Sequence, residues 1–295
     1  MAKYGMPYMG SKGKIADWVI DQLPSGKRLV DLFSGGGAIS HCAKLSGKWD
    51  TVLYNELNPL VCEVLQDAMD GKYSYDVFKP EWVSREEFMA KRDTCGYIRC
   101  IWSFGNNGRD YLFGKDIEEY KRMFHQMVVF GDYTDNIYPD LYIPDELINI
   151  KERRLWLKKW VREKLGSRTG ELERLQQLER LQQLERLERL ERLTISNKSY
   201  LDVELHDGDV IYCDPPYAGT AKYSKDGFNH AEFWQWVRDC PHCVVVSEYS
   251  APEDIQLISS IAKISLLKSG SAPRKTKQEN LYWNGKGNIM AGTLF

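Results

Sequence analysis

Val210-Ile211-Tyr212-Cys213 reads as a buried strand, and the chain then breaks on Asp214-Pro215-Pro216-Tyr217. β-branched and aromatic residues favour the strand. Two consecutive prolines have no N–H to give a ladder and hold φ near −65°, so pairing stops at Asp214 and a rigid, extended turn follows. That turn carries the carboxylate of Asp214, the carbonyl of Pro215 and the ring of Tyr217. Carboxylate and carbonyl are both acceptors. Together they suit a group with two hydrogens to give, such as an exocyclic amine. The ring suits a flat partner, since stacking of a base on an aromatic side chain is worth about 1–3 kcal/mol. On these residues alone, a strand ending in an Asx-Pro turn is the alternative.

Leu29-Val30-Asp31-Leu32-Phe33 is a second strong strand, and it runs into Ser34-Gly35-Gly36-Gly37-Ala38 and then a helix. Strand, glycine-rich turn, helix is the nucleotide-binding plan of a doubly wound sheet. Alone, three glycines also fit a tight turn. The next strand, Val52-Leu53-Tyr54, ends on Asn55-Glu56. An acid about 20 residues past the glycines is where such folds hold ribose hydroxyls; the alternative for Glu56 is a solvated acid at a strand end. Upstream, Tyr8-Met9-Gly10-Ser11-Lys12 combines a Gly-Ser pair, which lets backbone approach a ligand, with a compact cation. By itself it also reads as a surface turn. Ile15, Trp18, Val19 and Leu23 then predict an amphipathic helix that stops at Pro24-Ser25-Gly26. Pro59 to Ala68 predicts the next helix.

After about residue 75 the alternation of strand and helix stops. Residues 80–93 read as helical. Cys95 to Gly114 is dense in Gly and Asn, with Arg99, Arg109, Tyr111 and Trp102 interleaved. A hairpin of that composition suits a DNA groove, because Arg reads guanine bidentately and Asn reads adenine; an irregular capping loop is the alternative. Residues 116–165 read as mostly helical, with a loop at 132–144. The basic stretch 151–165 suits contact with phosphates or a solvated helix face. From Leu172 to Leu193 the chain repeats Leu-Glu-Arg and Leu-Gln-Gln with Leu at every third position. On an α-helix each Leu falls back by about 60° from the last. The leucines therefore circle the helix and form no seam, which disfavours a coiled coil. The expectation is a lengthened helical arm, with a strand-like or solenoid form as the lesser alternative. Thr194 to Asp202 returns the chain to the sheet. Ala218 to Gly227 reads as a loop, Phe228 to Val237 as a helix, and 244–248, 261–267 and 288–295 as strands.

The turn Asp214-Pro215-Pro216-Tyr217 in this setting resembles the motif of the amino-methylating DNA methyltransferases, and the rest of the chain is similar to the DNA adenine methyltransferase family. The resemblance covers roughly 1–75, 95–114 and 195–295. It implies an α/β fold, a doubly wound Rossmann-like methyltransferase sheet (1–75 and 195–295). An inserted, mainly helical target recognition domain (76–194) would include the repeat arm (about 171–194). It implies methyl transfer from S-adenosylmethionine to adenine N6 in double-stranded DNA. The flipped adenine would donate from N6 to Asp214 and to the Pro215 carbonyl, with Tyr217 stacked on its ring. Around the cofactor it implies Tyr8, Lys12, Phe33, Gly35, Gly37, Glu56 and Asp214. Tyr8 stands where the family commonly has Trp, and Glu56 where it usually has Asp. It puts the 95–114 hairpin, with Arg99, Asn106, Asn107 and Arg109, in the recognition region. Lys275-Thr-Lys-Gln-Glu-Asn-Leu-Tyr-Trp283 matches the family's last motif, with Lys275 and Lys277 as DNA contacts. Cytosine N4 methylation, or a catalytically inactive DNA-binding protein of the same fold, are the alternatives.

Composition sets the outer bounds. The formal charge is −2 over 295 residues, so DNA affinity must come from local basic patches. Hydrophobic residues make up 43%, enough for a sizeable core. No apolar run reaches the roughly 18 residues of a membrane span, and Met1 to Gly5 lacks the apolar region of a signal peptide. Seven cysteines suggest reduced thiols in a cytoplasmic protein. Cys240 and Cys243 have zinc-like spacing, but no second Cys or His pair partners them. They read as buried small residues and no metal is expected. A monomer or a weak dimer on DNA is expected.

Overall fold

The computed structural model of the protein describes residues 3–75, 77–166, 172–188, 190–217, 227–264 and 276–287; side chains at 263, 264, 276 and 277 fall outside the description. Among the described residues seven strands form one sheet: β1 (Gly26–Asp31), β2 (Trp49–Asn55), β3 (Leu193–Ser196), β4 (Asp209–Cys213), β5 (Cys243–Glu248), β6 (Gln256–Ile264) and β7 (Thr276–Trp283). Their order is β3-β2-β1-β4-β5-β7-β6. The first five strands in chain order are parallel to one another, and β7 enters antiparallel between β5 and β6.

The apolar runs of β1, β4 and β5 follow from cover on both faces. On one face Leu29, Val210, Tyr212 and Val245 pack against α1 (Ala16–Gln22) and α2 (Ala38–Ser46) through Val19, Ile20, Ile39 and Ala43. On the other, Val30, Ile211, Cys213, Val244 and Val246 pack against Phe233, Trp234 and Val237 of α9 (His230–Asp239). Asn229 caps α9 by accepting from the Glu232 N–H at 3.1 Å. The chain builds outward from β1 in one direction through β2 and β3, then in the other through β4 and β5. Such a reversal opens a crevice at the carboxyl ends of the strands. Asp31, Glu56, Asp214 and Glu248 all lie at those ends.

Two strand expectations are corrected. β6 begins at Gln256, five residues before the expected start, and the stretch 276–283 is itself a strand. Its polar sequence hides this, because β7 is an inner strand whose Leu281 and Glu279 are both buried. The expected strand at 288–295 and the loop at 218–226 lie outside the described residues.

Packing divides the chain into two compact units: 3–5, 11–62 and 190–295, which hold the sheet, and 6–10 with 63–189. The helix α3 (Pro59–Met69) runs through the division. The second unit carries α4 (Arg85–Lys91), α5 (Gly96–Ile101), α6 (Glu118–Phe130), α7 (Ile150–Leu165) and α8 (Gln176–Glu185). Ser84 and Asn149 cap α4 and α7 by accepting from backbone N–H groups three residues on.

The leucine repeat is helical in part and packs into its unit. Leu175, Leu178, Leu181, Leu184 and Leu187 are all buried, and the helix itself covers only Gln176–Glu185. The leucines do circle the helix, and neighbours meet them on every side. The polar residues between them are paired inside the unit. Glu179 bonds Arg154 at 3.1 Å and Arg174 at 2.6 Å, and Gln177 meets the ring of buried His125 at 3.2 Å. Arg180 donates to the carbonyls of Ile101 and Ser103 at 2.6 and 2.8 Å, where α5 ends. The stretch 95–114 is likewise less regular than a hairpin. It is the short helix α5 followed by a loop closed by a single bridge between Ser103 and Tyr111.

Candidate active site

The prolines do what their chemistry demands: β4 ends at Cys213, and Asp214 stands just past the last paired residue. Lys12 reaches it from the turn before α1. Its ammonium lies 2.6 and 2.7 Å from the two Asp214 oxygens. It also lies 3.3 Å from Glu279 and 4.6 Å from the centre of the Tyr217 ring. The Tyr217 hydroxyl donates to Glu279, and the Tyr249 ring meets Tyr217 edge-on at 4.6 Å. Strand direction explains why Glu279 is here. β7 pairs antiparallel with β5, Asn280 opposite Glu248. The early part of β7 therefore sits at the carboxyl end of the parallel strands.

These groups are dry and charged. The side chains of Lys12 and Glu279 are 6% and 1% exposed, and Asp214 keeps 18%. Burial raises the pKa of Asp214, opposed by the Lys12 ammonium and reinforced by Glu279. Burial pulls Lys12 down, and the two carboxylates more than reverse it, leaving its pKa above the ordinary value. The Tyr217 hydroxyl is pushed upward, first by burial and then by Asp214 and Glu279.

The glycine turn lies beside this cluster. Gly35 and Gly37 both adopt positive φ, 50° and 69°. The Gly35 N–H donates to Glu56 at 2.9 Å, and the second Glu56 oxygen accepts from the Asn58 N–H at 2.9 Å. Burial raises the Glu56 pKa against these bonds. Gly5 packs onto the same turn, and a Cβ there would lie 2.5 Å from the Gly36 carbonyl oxygen. Phe33 joins an aromatic group with Tyr200, Phe228 and Phe233 at 5.3 to 5.8 Å.

Asp31 closes β1. It is fully buried, and burial lifts its pKa to about 7, against a hydrogen bond from Ser40 at 2.7 Å. Its other carboxyl oxygen, Oδ1, is buried with no hydrogen-bond partner among the described residues. A glycine turn, a carboxylate on its N–H and a partnerless buried acceptor fit a nucleoside ligand that also carries an amine, as S-adenosylmethionine does.

Of the expected cofactor residues, Lys12, Phe33, Gly35, Gly37, Glu56 and Asp214 all belong to the sheet unit, whereas half-buried Tyr8 falls within 6–10 of the other. Of the expected DNA contacts, Arg99 bonds Asp93 at 2.9 Å and packs under Gly108. Asn107 caps its own turn, accepting from the N–H groups of Arg109 and Asp110. Arg109 is exposed, and Asn106 holds a positive φ of 58°. Trp102 and Tyr111 are core residues. Lys275 lies outside the described residues, as does the Lys277 side chain.

Four residues of the cluster are not singled out by the sequence: Asp31, Glu279, Tyr249 and Gly5. Asp31 and Glu279 lie within segments that stand out, the first strand and the Glu-Asn-Leu-Tyr stretch. Nothing in the sequence marks Gly5 or Tyr249. Cys240 and Cys243 are buried free thiols. Among the described residues no helix is long and apolar enough to cross a membrane.

Comparison with known proteins adds two findings. A family model described as D12 class N6 adenine-specific DNA methyltransferase matches residues 8–138 and 170–236, roughly two thirds of the chain. The match includes the whole leucine repeat and passes over 139–169, which contains the basic helix α7. The retron Ec67 DNA adenine methylase of Escherichia coli is 22% identical over 276 residues, spanning 90% of this chain and 79% of that protein.

Proposed function

This chain belongs to the D12 class of N6 adenine-specific DNA methyltransferases, and from that premise we propose how its residues divide the work. It is an enzyme that methylates adenine N6 in DNA. The donor is S-adenosylmethionine and the substrate is double-stranded DNA, from which the target adenine is flipped. The observation that carries the assignment of the site is the seat of Lys12. A nitrogen with hydrogens to give already lies on Asp214 and over Tyr217, where a base amine has to be received.

Asp214 and the Pro215 carbonyl accept the two N6 hydrogens. Held this way, the nitrogen is drawn toward a pyramidal form with its lone pair aimed away from the acceptors. Acceptors fixed before the reaction need no reorganisation as charge develops on N6. Tyr217 stacks on the base and offsets part of the few kcal/mol that flipping costs. Tyr249 stands edge-on to Tyr217 and limits how far that ring can tilt.

When bound, the cofactor supplies a methyl group on a positively charged sulfur. Gly35 and Gly37 let the backbone approach it, and Glu56 holds its ribose hydroxyls. Asp31 receives its amine and Phe33 borders its adenine. Asp31 trades its proton for that amine at little cost, because its pKa lies near 7. Arg109 and Asn106 at the tip of the 103–111 loop reach DNA. Arg99 and Asn107 hold that loop in shape, and Lys275 and Lys277 contact phosphates. The recognition domain is 76–194, and the basic helix α7 lies along phosphates. The enzyme works in the cytoplasm as a monomer or weak dimer on DNA.

The test is incubation with S-adenosylmethionine and unmethylated DNA, followed by nucleoside analysis. N6-methyladenine supports the reading. N4-methylcytosine, or no methylated base while the cofactor still raises the melting temperature, contradicts it.

A further inference from the structure

We propose that Glu279 is a positioning residue. It takes the Lys12 ammonium off Asp214 when the target base enters, and it holds the Tyr217 ring ready for that base. The inference rests on the reading of Asp214 as the acceptor of adenine N6.

The ammonium of Lys12 meets both features that the base has to use. It lies on both Asp214 oxygens at 2.6 and 2.7 Å and over the Tyr217 ring at 4.6 Å. A base cannot bond Asp214 and stack on Tyr217 until that ammonium moves. Moving a buried charge away from its partner is costly unless a second partner is in reach. Glu279 is that partner, 3.3 Å from the ammonium. Among the described residues the carboxylates bonded to Lys12 are these two. Because the ammonium already lies within 4 Å of Glu279, it can pass from one carboxylate to the other without a bare ammonium between.

The same Glu279 accepts the Tyr217 hydroxyl, so one side chain fixes both the departing cation and the stacking ring. Glu279 is placed to do this by a buried inner strand. Asn280, the next residue, donates to the Tyr249 carbonyl at 2.8 Å, which ties β7 to the residue that edges Tyr217.

One charge argument separates this role from a structural one. One ammonium can neutralise only one of two carboxylates. Glu279→Gln leaves a one-to-one pair and keeps an acceptor for Tyr217, so the fold should lose nothing. What is lost is the second seat for Lys12, which then stays on Asp214. DNA docking on phosphates and cofactor binding do not involve that step.

The experiment measures methyl transfer from labelled S-adenosylmethionine to unmethylated plasmid DNA by wild type, Glu279→Gln, Glu279→Asp, Lys12→Met and the Lys12→Met/Glu279→Gln double variant, with melting temperatures. Expected for Glu279→Gln is a fall in kcat of tenfold or more, with KM for DNA and for cofactor within about threefold of wild type. Its melting temperature should be unchanged or higher. Glu279→Asp keeps the charge and should recover most of the rate. Lys12→Met keeps a measurable rate, because the acceptors at 214 and 215 remain. In that background Glu279→Gln should cost less than threefold, since no ammonium is left to move.

A Glu279→Gln rate within twofold of wild type overturns the inference, as do additive losses in the double variant. So does a variant that melts lower or fails to fold, which would make Glu279 a strut. Each of these outcomes leaves adenine methylation by wild type standing. Absence of N6-methyladenine from wild type overturns the underlying reading and this inference with it.

Discussion

Lys12 and Asp214 are 202 positions apart in the chain and 2.6 Å apart in space. One comes from the turn before the first helix and the other from the break after β4. The pair joins the start of the sheet unit to its reactive edge, and its removal has a thermodynamic as well as a catalytic signature.

Replacing Lys12 by Met leaves the buried Asp214 carboxylate without its cation. Breaking one side of a buried pair typically costs about 3–5 kcal/mol; because Asp214 keeps some exposure, about 3 is expected. The pKa of Lys12 is raised above its ordinary 10.5. Its contribution is therefore fully present below that value and is lost as pH rises through the higher folded value. Urea denaturation should give a gap between wild type and Lys12→Met that persists from pH 7 to 9 and closes only in stronger alkali. A gap already gone at pH 9 would mean that the ion pair does not stabilise the fold.

Asp31 titrates in the opposite part of the range. Its folded pKa is raised from 3.8 to about 7 by burial. The folded state thus keeps a proton that the unfolded chain has released. Stability is highest below the unfolded value and falls as pH rises from about 4 to about 7. Three pKa units correspond to roughly 4 kcal/mol. Asp31→Asn cannot lose that proton, so its stability relative to wild type should grow by a few kcal/mol between pH 4.5 and 7.5. Parallel pH profiles for the two proteins would remove Asp31 from this role. The same variant should bind S-adenosylmethionine more weakly.

Gly5 tests the close approach at the glycine turn. It has a φ of +70°, and a Cβ would lie 2.5 Å from the Gly36 oxygen and 2.7 Å from the Ala38 nitrogen, both backbone atoms. Gly5→Ala combines left-handed strain of about 1–2 kcal/mol with overpacking of about 1–3 kcal/mol. A loss of about 2–5 kcal/mol in urea is expected, together with loss of the thermal shift given by S-adenosylmethionine. Near-normal stability would show that the N-terminal segment does not rest on the turn.

Leu181 tests the repeat helix. In a projecting arm, Leu181→Ala is close to neutral. In the structure Leu181 is fully buried, and truncating a buried Leu costs about 2–5 kcal/mol. A measured cost below 0.5 kcal/mol would return the repeat to the surface.

Two physical conditions separate what the sequence reveals from what it hides. β1, β4 and β5 are legible because cover on both faces forces unbroken apolar runs such as Val244-Val245-Val246. Asp214 is legible because two prolines can end a strand in few ways. β7 is not, because Thr-Lys-Gln-Glu-Asn has the composition of a solvated edge, and the cation that meets buried Glu279 is Lys12, 267 positions earlier. The repeat misleads for a related reason. A period of three forbids a seam but not a helix surrounded by neighbours, and the side chains that meet Gln177 and Glu179 are His125, Arg154 and Arg174. Of the expected DNA contacts, the spacing does not reveal that Arg99 and Asn107 are engaged within their own loop.

The central claim is that Asp214 receives the adenine amine, and nucleoside analysis after reaction with Asp214→Ala tests it most directly. Wild type should deposit N6-methyladenine in unmethylated DNA. The variant should deposit none while S-adenosylmethionine still raises its melting temperature. N6-methyladenine from Asp214→Ala at near wild-type levels would contradict the account.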